Sequence, residues 1–310
     1  MSLIMALHKS VQTTRHTIKD IAISIRPYQW VKNVLVFAAL FFSLSFLNPE
    51  AILFSMAAFI SFCLVSGSVY LLNDIRDKEA DSQHPEKKYR PIASGSLPVS
   101  TALTFFMIFL ISGLAIAFLI NWKVLFLIGV YLCLNLGYSF GLKKVVILDV
   151  MIVALGFLIR PMAGAYAIDV AVSPWLFICT LLLALLLVLG KRRQELAMMK
   201  SEAGSHRKSL EEYSLPFLDG LMFVSASAAI VTYSLYTIAD DVVARFGTQW
   251  LIATTPLAIY GIFRYLYLVY IKKQGGDPTK MMITDKAFLI NGLLWVAMVF
   301  SILYYSKLIA

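Results

Sequence analysis

The chain is poor in the residues from which most soluble active sites are made. It has three cysteines and four histidines among 310 residues, and Asp, Glu, Lys and Arg together make up only 15%. Cys63, Cys133 and Cys179 each fall within a long apolar stretch and show no metal-ligand spacing, so they read as small packing residues. No two of His8, His16, His84 and His206 stand at ligand spacing on one helix face, which argues against zinc. Residues 1–28 lack the apolar core and small-residue cleavage site of a removable signal peptide. The apolar runs lack the alternation of barrel strands, and no pair of Gly/Pro-interrupted helices marks a transport site.

Apolar residues fill the space left by these absences. They make up 60% of the chain, and the mean hydropathy is +0.79, outside the range of ordinary soluble domains. An all-α integral membrane protein is expected, with about nine transmembrane helices around a central cavity. The spans fall near 30–47, 51–73, 99–120, 122–140, 146–168, 172–190, 216–238, 249–271 and 286–307. Residues 1–28 form a cytoplasmic amino-terminal segment, with a modestly basic amphipathic pattern between Val11 and Ile25, and 29–310 form one membrane domain.

The net charge of +9 is not a nucleic-acid signature, because of where it lies. The amino-terminal segment and the loops after the second, fourth, sixth and eighth spans hold 22 of the 27 Lys and Arg, whereas the opposite face has Lys123, Arg245 and Lys307. The positive-inside rule therefore places the amino terminus and those loops in the cytoplasm, and the membrane is the plasma (inner) membrane. Arg160 and Arg264 are left inside spans, where a guanidinium needs a partner or a polar cavity.

The second span ends in Asn73-Asp74-Ile75-Arg76-Asp77-Lys78-Glu79-Ala80-Asp81, followed by His84-Pro85 and Arg90-Pro91-Ile92-Ala93-Ser94-Gly95. Continued as a helix, it sets Asp74, Asp77 and Asp81 on one face, where like charges repel unless a cation sits among them. Carboxylates around Mg²⁺ with cations beside them, here Lys87, Lys88 and Arg90, suit a diphosphate. Lys32 and Asn33, just inside the first span, read equally as an interfacial anchor or a ligand contact. Tyr138, Ser139 and Lys143, at the end of the fourth span, could meet an anionic head group or only fix topology. The other elaborate loop opens with Gly190-Lys191-Arg192-Arg193-Gln194-Glu195 after the sixth span. Because it lies four spans after the acidic motif, two four-helix halves with loops converging on one cavity are expected, plus one further helix.

Asn73-Asp74-x-x-Asp77-x-x-x-Asp81, with Tyr138-Ser139-x-x-Leu142-Lys143 and nine spans, resembles the UbiA superfamily of intramembrane prenyltransferases over nearly the whole chain. The resemblance implies that Asn73, Asp74, Asp77 and Asp81 hold Mg²⁺ and a diphosphate. It also implies a second acidic motif after the sixth span, but Lys191-Arg192-Arg193-x-Glu195 stands there instead. Cations in that place suit a second anionic group bound without metal. Together with Arg26-Pro27-x-Gln29-Trp30-Val31-Lys32-Asn33 and the residues from His84 to Gly95, this is similar to the decaprenyl-phosphate phosphoribosyltransferase branch. That branch implies phosphoribosyl diphosphate as donor, a polyprenyl phosphate as acceptor and no nucleic acid, and it leaves room for a homo-oligomer. On this reading Asp74, Asp77 and Asp81 are catalytic. Lys32, Asn33, Asn73, Lys87, Arg90, Tyr138, Lys143, Arg160, Lys191, Arg192 and Glu195 line the substrate site. Two rival readings stand beside it: an aromatic prenyltransferase and a non-enzymatic membrane carrier.

Overall fold

The computed structural model describes residues 17–199 and 208–309, which are helical with no strand among them. Part of the loop after the sixth expected span, including Lys200, His206 and Arg207, lies outside the described residues, as does the first part of the expected amphipathic segment. Residues 17–24 of that segment are helical. The long helices are α1 (Pro49–Arg76), α2 (Val99–Ile120), α3 (Trp122–Phe140), α4 (Leu148–Ala167), α5 (Pro174–Met199), α6 (Leu215–Ile238), α7 (Thr255–Tyr270) and α8 (Lys286–Ile309). Among the described residues their length and apolarity make eight helices able to cross a membrane, with α7 extended by the 3-10 turn Trp250–Thr254. The chain is a multi-pass membrane protein.

The first of the nine expected spans is built differently. Pro27–Phe37 is a 3-10 helix, and Ala38–Phe42 adds one short α-helical stretch. A 3-10 run this long is unusual, and its polar content explains it. Asn33 is 1% exposed, and its amide donates to Ser66 Oγ at 3.3 Å and Cys63 Sγ at 3.4 Å, while its Oδ1 accepts from Arg160 Nε at 2.7 Å. The backbone also comes hard against α4: a Cβ at Gly164 would collide with the Val36 carbonyl. At about 2.0 Å per residue the 3-10 segment and its α turn still reach roughly 30 Å.

Helix starts follow local chemistry. Asn48 accepts from the N–H groups of Glu50 and Ala51, with Pro49 at the first helical position, and Asn121 caps α3 through Val124 N–H at 2.9 Å. Two of the buried clusters pack the centre of the bundle. One joins α1, α2, α3 and α4 through Phe62, Val65, Ala117, Ile128 and Ile159. The other joins α4, α5, α6 and α7 through Val150, Leu186, Leu189, Met222 and Leu268. Because α4 belongs to both, the expected halves share it rather than meeting at a seam. Leu103, Met107, Ile111 and Phe118 of α2 point outward as a lipid-facing stripe. Trp122 and Trp250, both exposed, mark the membrane edge opposite the acidic motif.

Candidate active site

The end of α1 carries the acidic motif to the rim of the bundle. The helix breaks at Asp77, yet Asp77 N–H still reaches Asn73 O at 2.9 Å and Asp81 N–H reaches Asp77 O at 2.8 Å, so the short helix Lys78–Gln83 continues nearly in register. Asp74 and Asp81 are buried, whereas Asp77 is half-buried and makes no ion pair among the described residues. Asn73 Oδ1 accepts from Ser139 Oγ at 2.6 Å, which ties the end of α1 to the end of α3.

Arginines occupy the carboxylates. Arg90 Nη1 donates to Asp81 Oδ2 at 2.6 Å and to Asp74 Oδ1 at 3.2 Å, and Arg26 Nη2 donates to the same Asp74 oxygen. Lys87 Nζ stands 4.0 Å from Asp81 Oδ1. The Arg90-Pro91-Ile92-Ala93-Ser94-Gly95 stretch explains how Arg90 is held. Ile92 and Leu97 are buried beneath it, Leu97 N–H closes on Pro91 O at 2.9 Å, and Gly95 supplies the left-handed turn residue at φ 82°. Arg26 itself has φ 53°, a conformation that costs a non-glycine residue energy; Pro27 after it disfavours the right-handed helical alternative. Its guanidinium also lies 4.9 Å from the Tyr70 ring centroid.

A second polar cluster forms where α5 emerges. Arg192 donates to Asp149 Oδ2 at 2.8 Å, Glu195 Oε2 at 2.6 Å and Tyr138 Oη at 2.7 Å, and the Tyr213 hydroxyl donates to Asp149 Oδ1 at 2.9 Å. Tyr213 Oη also accepts from Ile147 N–H at 2.7 Å. Burial raises the Tyr213 phenol to about 12, and its hydrogen bond to Asp149 adds to the effect. Tyr138 and Ser139, adjacent on α3, thus hold the two clusters in fixed relation.

Between the clusters opens a cavity of about 780 Å³. Its polar end presents Arg26, Lys32, Arg90, Tyr138, Lys191 and Arg192; its inner walls are apolar, with Leu183, Leu187, Leu257 and Trp295 among them. Lys32, Arg90, Tyr138, Lys191 and Arg192 are therefore brought together as the sequence suggested. Asp74 and Asp81 sit one layer back, behind Arg26 and Arg90. Asn33 and Arg160 lie elsewhere: Arg160 is 5% exposed, bonded to Asn33 and the Gly156 carbonyl, and enclosed by the rings of Phe62, Tyr131 and Phe157. Lys143, in the turn Leu142–Lys144, and Glu195 also stand off the cavity lining. Arg264, the other cation within a span, is paired with Asp285 at 2.7 Å. Arg26, which stands in the sequence only as the first residue of the Arg26–Asn33 stretch, and Asp149, which no motif in the sequence singles out, also belong to the two polar clusters. An acid at a span's start, and an arginine preceding the Pro27-x-Gln29 stretch, were the signals available.

Four oxygen-bearing side chains in two successive turns, with buried carboxylates that already hold positive charge, fit a hard divalent cation. Among the described residues no three His, Cys, Asp or Glu side chains converge as a ready-made cage, since Arg26 and Arg90 hold the carboxylates.

The sequence profile of the UbiA prenyltransferase family matches residues 33–293. The chain belongs to the UbiA prenyltransferase family. Among UbiA relatives, a decaprenyl-phosphate phosphoribosyltransferase of Mycobacterium tuberculosis is 33% identical over 93% of this chain and 95% of its own. One of the same description from Mycolicibacterium smegmatis is 32% identical over 91% and 92%. The fold matches a UbiA homolog from Archaeoglobus fulgidus bound to GPP and Mg²⁺ with a TM-score of 0.67, covering 92% of this chain and 99% of that one at 17% identity.

Proposed function

We propose that this protein is a transferase that moves a 5-phosphoribosyl group from phosphoribosyl diphosphate to a polyprenyl phosphate, releasing pyrophosphate. The observation that carries the reading is the cavity's composition: Lys191 and Arg192 stand beside Arg26, Lys32 and Arg90 at one end, and an apolar chamber continues from it. Two phosphorylated substrates, one with a long lipid tail, fit such a space. The relatives described as decaprenyl-phosphate phosphoribosyltransferases support the same assignment.

Asn73, Asp74, Asp77 and Asp81 would hold Mg²⁺, which when bound withdraws charge from the leaving diphosphate. Arg26 and Arg90 bind phosphate oxygens from the cavity wall, and Lys32 and Lys191 take the remaining phosphate groups. Arg192, already engaged by Asp149, Glu195 and Tyr138, has N–H capacity left to face the cavity. A lipid phosphate oxygen attacks the ribose anomeric carbon; the bond to the diphosphate oxygen breaks, and its electron pair leaves with pyrophosphate. The acceptor is ionised at neutral pH, so no residue has to remove a proton. The acidic rim and basic loops face the cytoplasm, where the water-soluble donor is found, and the membrane is the plasma membrane.

The carrier reading loses its support, because Arg160 is enclosed and Arg264 is paired rather than lining a path. The test is purified protein with Mg²⁺ given labelled phosphoribosyl diphosphate plus polyprenyl phosphate and, in parallel, prenyl diphosphate plus a phenolic acid. Lipid-linked label is expected in the first reaction. Product only in the second would make this an aromatic prenyltransferase.

A further inference from the structure

The cationic end of the cavity contains a residue of the wrong sign. Among the described residues that line it, Asp277 is the one carboxylate, set among Arg26, Lys32, Arg90, Lys191 and Arg192. It stands beside Gly276, Pro278 and Thr279 on the cavity wall, and the helix that follows it packs against the Pro27–Phe37 segment that bears Lys32, which puts it toward the polar end. Unless it holds a metal, as the Asn73–Asp81 carboxylates would, a carboxylate repels phosphates. A carboxylate there suits a neutral, hydroxyl-bearing part of a substrate, because it offers acceptors only.

The loop that carries it is fixed in place. A Cβ on Gly275 would lie 2.8 Å from the Gly190 carbonyl, so the loop packs backbone to backbone against α5. Gly190 in turn leaves room for Tyr265, whose ring a Cβ there would strike. Asp277 caps the following helix, Pro278–Thr284, by accepting from Lys280 N–H at 3.1 Å through Oδ1. That helix also packs against the Pro27–Phe37 segment, which bears Lys32. Capping uses one oxygen and leaves Asp277 further acceptor capacity.

We infer that Asp277 binds the vicinal hydroxyls of the donor's ribose and so selects a glycosyl over a prenyl diphosphate. The inference rests on the proposed phosphoribosyl transfer. Two sugar hydroxyls present paired donors to a carboxylate, an interaction no prenyl chain can make. The loop Gly275–Pro278 is then the element that reads the sugar, while the arginines and Mg²⁺ read the phosphates.

The test uses the Asp277→Asn protein, because Asn caps helices as well as Asp and keeps the shape. Transfer is measured with phosphoribosyl diphosphate and with donor analogues lacking the 2- or the 3-hydroxyl, and Mg²⁺ activation is recorded for each. The expected result is a donor KM about 10- to 100-fold higher, with the lipid KM and the Mg²⁺ activation curve unmoved. The wild-type penalty for removing one hydroxyl should largely vanish in the variant. If that penalty is equally large in both proteins, or if the Mg²⁺ curve shifts, Asp277 does not read the sugar. If wild type makes no phosphoribosyl product at all, the proposed function fails first, and that is seen separately.

Discussion

The Arg192 guanidinium donates through Nε to Asp149 Oδ2 at 2.8 Å, with Asp149 0% and Arg192 3% exposed. This buried pair links the start of α4 to the end of α5, and Tyr138 and Tyr213 complete its hydrogen bonding. Removing Arg192 leaves the Asp149 carboxylate buried without a counter-charge, whereas Arg192 without Asp149 would keep Glu195. Arg192→Leu should lower stability by about 3–5 kcal/mol, read as a large fall in thermal midpoint in detergent. Asp149→Ala combined with Arg192→Leu should recover part of that loss. A midpoint unchanged in the single variant would show that the pair is not structural.

Arg26 and Arg90 occupy the carboxylates that a divalent ion would take. Arg26→Ala and Arg90→Ala should each bind Mg²⁺ more tightly without substrate, on the order of tenfold, as followed by calorimetry. The same variants should bind donor more weakly. Asp74→Asn, by contrast, should lose both Mg²⁺ binding and turnover, with pyrophosphate release down by at least ~100-fold. Weaker Mg²⁺ binding in the arginine variants would mean that these side chains support the metal instead of holding its place.

How much of this was readable beforehand depended on the kind of interaction. The acidic motif was legible because its spacing is local, and a helix projects such residues together even across the break at Asp77. The apolar spans were legible for the same reason. The first span was not, because its form is imposed from outside by Asn33 reaching α1 and α4 and by Val36 lying against Gly164. Sequence also cannot say which way a buried cation faces. Arg160 was expected at the cavity, and three aromatic rings from α1, α3 and α4 enclose it instead. Lys191, which follows an apolar run much as Arg160 does, lines the cavity.

Gly164 allows the 3-10 segment to touch α4. Gly164→Ala should displace the Val36 backbone and cost about 1–3 kcal/mol or more. Loss of folded protein in detergent extracts, with Gly220→Ala as a neutral control because nothing lies near its Cβ, would bear this out.

Asp285 accepts two hydrogen bonds from Arg264, which hold its carboxyl below the usual range. A depressed carboxylate contributes stability that is present above its unfolded pKa, roughly 4, and is lost as pH falls through the lower folded value. Wild type should therefore lose an increment of stability below about pH 4 that Asp285→Asn lacks already at neutral pH. Parallel acid titrations of thermal midpoint for the two proteins should converge at low pH. Curves that stay equally far apart throughout would assign the stabilisation to something other than this ion pair.

The length of α1 has a consequence for how the reaction meets its substrates. Its 28 residues span about 42 Å, roughly 10 Å more than the hydrocarbon layer. If the excess lies at its acidic end, that end would stand at the depth where lipid phosphates reside. For the proposed reaction the acceptor never has to be lifted from its leaflet, and only the water-soluble donor travels. The rate should then follow the mole fraction of polyprenyl phosphate in the bilayer, and diluting it with inert lipid should slow the enzyme even when the total amount in the tube is unchanged.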